Sequence, residues 1–431
     1  LDDMSDLKKG IQNHLRELQL EIDDIFAKGR DAVVSEVNVG QIYGGMRGLV
    51  ALACNTSYVD PYSGLYIGEY TTDEFSNKLP EEIFFLLSTG KFPDTKALVN
   101  FQNDLNKRAI IPQYVWDVLR GLPKDTHPMT MLSLGILSME NESVFKKAYQ
   151  KGLEKPDYWK YTLEDALNIL AKLPALAGGI YRIRFGDGHL IPHDSSLDWS
   201  GNLAHMLGVN DDKGFADLMR LYLVLHCDHE GGNVSAFTSR VVNSALSDLY
   251  YAVSAGLNGL AGPLHGLANQ ECLRFILKIH DKFGADPDEE DLKAYILDIL
   301  DSGNVIPGYG HAVLRVTDPR FSAFMNFGEI NCAGNPCFKI AKKLFSIVPV
   351  ILMHYKKGKV ANPWPNVDAM SGSLLHHYGV NEFDFYTVLF GVSRVMGFCA
   401  QNILAQGLGQ PIIRPKSVTN KWVIERLKAQ G

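Results

Sequence analysis

Residues 385–405 read FYTVLFGVSRVMGFCAQNILA, twenty-one positions whose only charge is Arg394. The stretch is long enough to cross a bilayer. Thr387, Ser393, Gln401 and Asn402 are polar, however, Gly391 and Gly397 lie inside it, and a mid-span arginine is costly in lipid. The reading that follows is a helix buried in the protein itself. An isolated buried guanidinium needs an anion, either a buried carboxylate or an anionic ligand. A second segment, 249–264, has sixteen residues without a charge and is rich in Ala, Gly and Ser. It has no solvent face, so it is expected deep in the core or in a subunit interface.

Around these two helices most of the 431-residue chain is cut by Gly and Pro into helix-length segments. Helices are expected near 80–90, 95–106, 129–140, 160–175, 214–226, 268–283, 288–300 and 336–355. The first thirty residues are charged and amphipathic, unlike a secretory signal. Leu7, Ile11, Leu15, Leu18, Ile22 and Ile25 recur at three- to four-residue spacing and predict a surface-docked helix. Only 32–72 reads as β-like, with Val33, Val34, Val37 and Val39, then Tyr58-Val59 and Tyr66-Ile67. Strands do not alternate with helices, which argues against a doubly wound sheet. An all-α, multi-helical protein with a short β segment near the N-terminus follows.

Composition narrows function. Hydrophobic residues are 46% of the chain and the net charge is -7, from 42 basic and 49 acidic side chains. Such a chain is not intrinsically disordered. Nor does it carry the basic excess that neutralises nucleic-acid phosphates. Six cysteines with no C-x-x-C fit a reducing compartment better than a disulfide scaffold.

Four stretches gather His, Asp, Arg and Gly in apolar surroundings. In HCDHEGGN (226–233), His226 and His229 have the i, i+3 spacing of metal ligands, although no H-E-x-x-H is present. The helix expected from Asn233 offers an anion site at its start. In GLAGPLHGLANQE (259–271), Pro263 and Gly266 place His265 in a turn near a helix N-terminus. There the dipole disfavours imidazolium, and a neutral ring can donate to an enolate oxygen. In VIPGYGHAVLR (305–315), followed by Asp318-Pro-Arg320, glycines permit close approach to a ligand, beside His311, Arg315 and Arg320. In NPWPNVDAMSG (362–372), Asp368 is either an N-cap or a rigidly held base.

Taken in order, HEGGN, GLAGPLHGLANQE, PGYGHAVLR–TDPR, NPWPNVDA–SG, GVSR and RPKS resemble the citrate synthases of the eukaryotic mitochondrial type. The resemblance runs from YGGMRG at 43–48 to Lys416-Ser417. It implies a two-domain helical homodimer, with 1–265 and 373–431 as the large domain. The small domain, 266–372, would carry much of the coenzyme A site. It implies His265, His311 and Asp368 as the catalytic set, and His229, Arg320 and Arg394 as oxaloacetate ligands. Arg414 would reach the other subunit's site. Arg47, Arg182 and Arg315 would lie near the coenzyme A phosphates. The activity implied is condensation of acetyl-CoA with oxaloacetate, then hydrolysis of citryl-CoA. No metal or cofactor is implied, since the thioester is a substrate, and no membrane span. The location implied is the mitochondrial matrix.

Three positions depart from the family pattern: Met370 and Phe237 stand where it has His, and Ala361 where it has Lys, with Lys356, Lys357 and Lys359 nearby. The first two leave open a 2-methylcitrate synthase using propionyl-CoA. From the residues alone, two other readings stay open. One is a metal-dependent hydrolase on His226/His229 or His189/His193. The other is a helical scaffold without catalysis. Ordered binding with domain closure about Gly266 and Gly372 is also expected.

Overall fold

A computed structural model describes residues 5–355 and 362–429. Ala361, Lys356, Lys357 and Lys359 lie outside the described residues. Among those residues the protein is helical, with one small antiparallel sheet: β1 (Ser57–Asp60), β2 (Gly64–Ile67) and β3 (Tyr70–Thr71), in that order.

The Tyr386–Gly407 helix is the axis of the molecule. It packs on the Tyr158–Phe185, Pro80–Thr89, Lys213–Leu225, Val234–Ser244 and Leu249–Leu260 helices. Every residue from Val392 to Gln406 on it is buried. Its apolar length is therefore satisfied by protein. The Leu249–Leu260 helix is likewise covered mostly by its own chain, through the Pro128–Ser138 and Val234–Ser244 helices. Only positions such as Tyr251 are left open. Its composition is explained without a partner subunit.

The Tyr158–Phe185 helix runs eleven residues past Pro174, where periodicity suggested a stop. Proline cannot donate to the carbonyl of Leu170 one turn back. The Trp199 indole N–H takes that acceptor instead, at 2.7 Å, so the helix continues.

The β expectation holds only for its second half. Residues 39–43 form a short helix, and Val33, Val34 and Val37 are exposed and outside any strand. β-branched residues without a partner strand have no ladder to join. The N-terminal helix, Asp6–Gly29, docks through Leu7, Ile11, Leu15 and Leu18, while Ile25 stays exposed.

The helices Ala268–Phe283, Glu289–Asp301, Pro319–Asn331, Pro336–His354 and Asp368–His377 pack mainly on one another. Position 372 falls inside the last of them. A side chain there would meet Asn269 Oδ1 at 2.4 Å. Gly372 thus lets two helices touch and is no joint. The chain leaves this layer after His377, at a turn where Gly379 has φ +92°.

Candidate active site

Two loops carry His311 and Asp368, and they are zipped together. Gly310 N–H donates to Trp364 O at 3.0 Å, and Asn366 N–H to Gly308 O at 2.9 Å. The Asn366 side chain adds a bond to Gly310 O at 3.0 Å. Gly308, at φ +81°, lies so close to Ala369 Cα (2.9 Å) and Cys272 Sγ (2.8 Å) that no Cβ fits. The glycine serves loop-to-loop contact rather than approach to a ligand.

Asp368 is the first residue of its helix, not the cap. Asn366 Oδ1 accepts the Asp368 N–H at 3.0 Å, and the Asp368 carboxylate takes no hydrogen bond among the described residues. Burial raises its pKa to about 6, opposed by Arg320, assisted by Asp318 and opposed by Arg394. A carboxylate with unspent lone pairs and a raised pKa is fitted to accept a proton near neutral pH.

His311 Nδ1 accepts the N–H groups of Val313 and Leu314, both at 3.0 Å. Two donors on Nδ1 put the ring proton on Nε2, which is then a donor. His311 also faces His229, with ring centroids 5.7 Å apart. Burial first and Arg320 second depress the basicity of His311, and burial, Arg320 and Arg394 that of His229.

His265 lies in the turn between the Leu249–Leu260 and Ala268–Phe283 helices, as read from Pro263 and Gly266. Its Nε2 meets the Ser235 hydroxyl at 2.8 Å and the Ser235 N–H at 3.4 Å. The Ser235 hydroxyl proton goes to Asn233 Oδ1 at 2.9 Å, so it is the Ser235 N–H that makes Nε2 an acceptor and leaves Nδ1–H as the outgoing donor. Its pKa falls to about 4, through burial and then Arg394. The ring is neutral, as the sequence suggested, but burial is the main cause rather than a helix dipole. Ser235 escaped the sequence reading. The N-terminus it belongs to was assigned to an anion, whereas Asn233 Oδ1 caps it and His265 faces it.

Arg320 and Arg394 supply the positive field. Arg320 is held by Asp318, Nη2 to Oδ2 at 2.7 Å, and both are buried. Arg394 is 3% exposed, donates Nε–H to His226 O at 2.9 Å and lies 4.7 Å from the centre of the Phe390 ring. That ring also borders His265. No carboxylate lies within ion-pair distance of Arg394 among the described residues, and burial lowers its pKa to about 10. The buried Asp228 carboxylate opposes that fall from beyond ion-pair distance, so the guanidinium is left with no paired side chain.

The structure thus gathers His229, His265, His311, Arg320, Asp368 and Arg394. Of the other four arginines, Arg315 bears on this group through its charge on His311. Arg414 is exposed on the segment after the axial helix. Arg47 is exposed in the 44–48 turn. Arg315 folds back on its own chain, donating to Val313 O and Leu314 O at 2.8 Å each. Arg182 is tied to Asp187 and to His189 O.

His226 does not pair with His229 as a ligand. Its Nδ1 bonds Tyr222 O at 2.9 Å and its ring stacks on Tyr222. His193 Nε2 is engaged by Asn106 at 2.9 Å. Among the described residues no three His, Cys, Asp or Glu side chains are grouped to hold a metal ion. Met370 is buried in the core and Phe237 half-buried on the Val234–Ser244 helix.

Comparison with known proteins gives the arrangement a family. The family described as "Citrate synthase, C-terminal domain" matches residues 45–416. "Citrate synthase 4, mitochondrial" of Arabidopsis thaliana is 44% identical over 428 residues, covering 97% of this chain and 90% of the relative. "2-methylcitrate synthase, mitochondrial" of Yarrowia lipolytica is 45% identical over 406 residues, covering 92% and 87%. The crystal structure of citrate synthase from Pyrobaculum aerophilum superimposes with a TM-score of 0.79 at 27% identity, covering 90% of this chain and 97% of that one. The chain belongs to the citrate synthase family.

Proposed function

We propose that the chain condenses acetyl-CoA with oxaloacetate and hydrolyses the resulting citryl-CoA to citrate and CoA. The observation that carries this is the pairing of two buried arginines, one without a carboxylate, with an unspent carboxylate and two neutral imidazoles of opposite tautomer. Guanidinium groups bind carboxylates bidentately, so Arg320 and Arg394 suit a dicarboxylate, with His229 beside them.

Thioester methyl protons are too weakly acidic for a carboxylate alone. Asp368 takes one while His265 donates Nδ1–H to the thioester oxygen, which spreads the developing charge. The enol carbon bonds to the ketone carbon of oxaloacetate. As the thioester carbonyl re-forms the enol proton returns to His265, and the ketone oxygen receives the Nε2 proton of His311, which the water that later attacks restores. Water then cleaves the thioester and releases the CoA thiol. Every proton moves between substrate, water and these three side chains, and the thioester is a substrate rather than a resident cofactor.

A second reading is favoured by the Yarrowia relative and by Met370 and Phe237: propionyl-CoA as the acyl donor, giving 2-methylcitrate by the same steps. A free-thiol assay with each acyl-CoA in turn decides between them.

The functional unit in this proposal is a homodimer. Arg414 lies on an exposed segment starting at Gln410, and Pro415 keeps that segment extended. Val33, Val34, Val37, Tyr43 and Met46 on one arm and Ile412 and Trp422 on the other are exposed apolar groups, a surface suited to a second copy. Arg47, Arg315 and Arg182 are assigned to the CoA phosphates by family resemblance. Arg182 would have to exchange its Asp187 partner. The layer of helices between 268 and 377 is the small domain, its second joint placed at 378–382. The mitochondrial matrix is the proposed location, by kinship with relatives so named.

A further inference from the structure

We infer that the β1–β2 hairpin is a strut that couples the backbone under His229 to the helix that carries Arg320 and sets the register in which the two sides of the oxaloacetate site meet, with Ser57 and Gly64 as positioning residues. The inference rests on the reading that His229 and Arg320 hold oxaloacetate. Neither residue touches a reacting atom.

At one end the hairpin grips both flanks of His229. Ser57 Oγ donates to Asp228 Oδ2 at 2.8 Å and accepts the N–H of Glu230 at 2.8 Å. One hydroxyl thereby spans the histidine between them. Thr56 Oγ1 also donates to Asp228 Oδ2, at 2.5 Å, and Val59 N–H donates to Glu230 Oε1 at 2.9 Å. Glu230 has φ +60°, a conformation that a side-chain-bearing residue adopts only when its surroundings enforce it. The clamp from Ser57 and Val59 is what enforces it here, so the backbone under His229 is set by the hairpin.

At its other end the hairpin meets the small-domain side. Asp60 Oδ1 accepts the N–H groups of Tyr62 (2.8 Å) and Ser63 (2.9 Å), which makes the turn rigid. Pro61 O accepts the N–H of Arg315 at 2.7 Å. Gly64, at φ +94°, abuts Pro319: an added Cβ would lie 2.5 Å from the ring. Pro319 opens the helix whose next residue is Arg320. A four-residue strand and its turn therefore connect the backbone of His229 to that of Arg320.

The test uses the full chain carrying Ser57→Ala, Gly64→Ala or both. It measures oxaloacetate affinity by equilibrium binding, KM for the acyl-CoA at saturating oxaloacetate, and Tm. Loss of a hydrogen bond to a charged group predicts about tenfold weaker oxaloacetate binding in Ser57→Ala. In Ser57→Ala the acyl-CoA KM should change less than about twofold, because Ser57 grips only the residues that flank His229. Gly64→Ala should weaken oxaloacetate binding as well. The double variant should lose less than the product of the two, since a strut is broken only once. A general structural role would lower Tm and leave oxaloacetate affinity alone in the folded fraction. That result in both variants, or losses that multiply in full, overturns the inference. A wild-type chain that releases no thiol with either acyl-CoA overturns the proposed activity instead.

Discussion

In the proposed mechanism the chemistry turns on Asp368, and its raised pKa fixes a sign. As a base it must be ionised, so kcat/KM should fall as pH drops below about 6, following one proton. His265, at about 4, stays neutral across that limb. Asp368→Asn should fold, bind oxaloacetate and lose about 10²–10⁴-fold in turnover. A second residue tests buried acidity away from the site. Glu81 is buried, with Oε1 accepting the Trp199 N–H at 2.9 Å while Oε2 has no partner. Burial and then Asp198 raise its pKa to about 7. The unfolded chain gives up this proton near the ordinary carboxylate value, and the folded chain holds it. Stability from this group is full at low pH and is lost as pH rises through 7, by on the order of 3 kcal/mol. Glu81→Gln should flatten that part of the Tm–pH curve.

Among the elements, the axial helix sets stability against function. Arg394 is buried beyond ion-pair distance of any carboxylate among the described residues, so Asp228, His226 O and the Phe390 ring return only part of the cost of burying it. Arg394→Leu should keep or raise Tm while oxaloacetate binding, read by calorimetry, disappears. A fall in Tm of several degrees would assign the guanidinium a structural role. This helix was legible in the sequence because a long apolar run with one charge has few solutions. The same holds for His265, since Pro and Gly on either side leave little but a turn. Ser235, Asp318 and Ser57 were harder to see as site residues. Serine and aspartate near a helix start ordinarily cap it. Only folding brings Ser57 beside Asp228, 171 positions away. The valines at 33–39 misled for the opposite reason: local propensity favours a strand and no partner strand is present among the described residues.

At the scale of the whole molecule the proposed site residues come from two sides, His229, His265 and Arg394 from one and His311, Arg320 and Asp368 from the other. A dicarboxylate held between Arg320 and Arg394 should draw the two together and shut out water. Oxaloacetate is expected to lower the radius of gyration in solution scattering and to tighten a CoA-thioester analogue. By linkage, the analogue tightens oxaloacetate by the same factor. Mixing Arg414→Ala with His265→Ala subunits should restore activity if sites are shared across a dimer. Failure after verified subunit exchange would contradict that sharing.

The most direct test is release of free thiol by the purified chain given oxaloacetate with acetyl-CoA and, separately, with propionyl-CoA. The account predicts oxaloacetate-dependent thiol release, faster with acetyl-CoA, and its near loss in Asp368→Asn. Thiol release that ignores oxaloacetate, or that survives unchanged in Asp368→Asn, would contradict it.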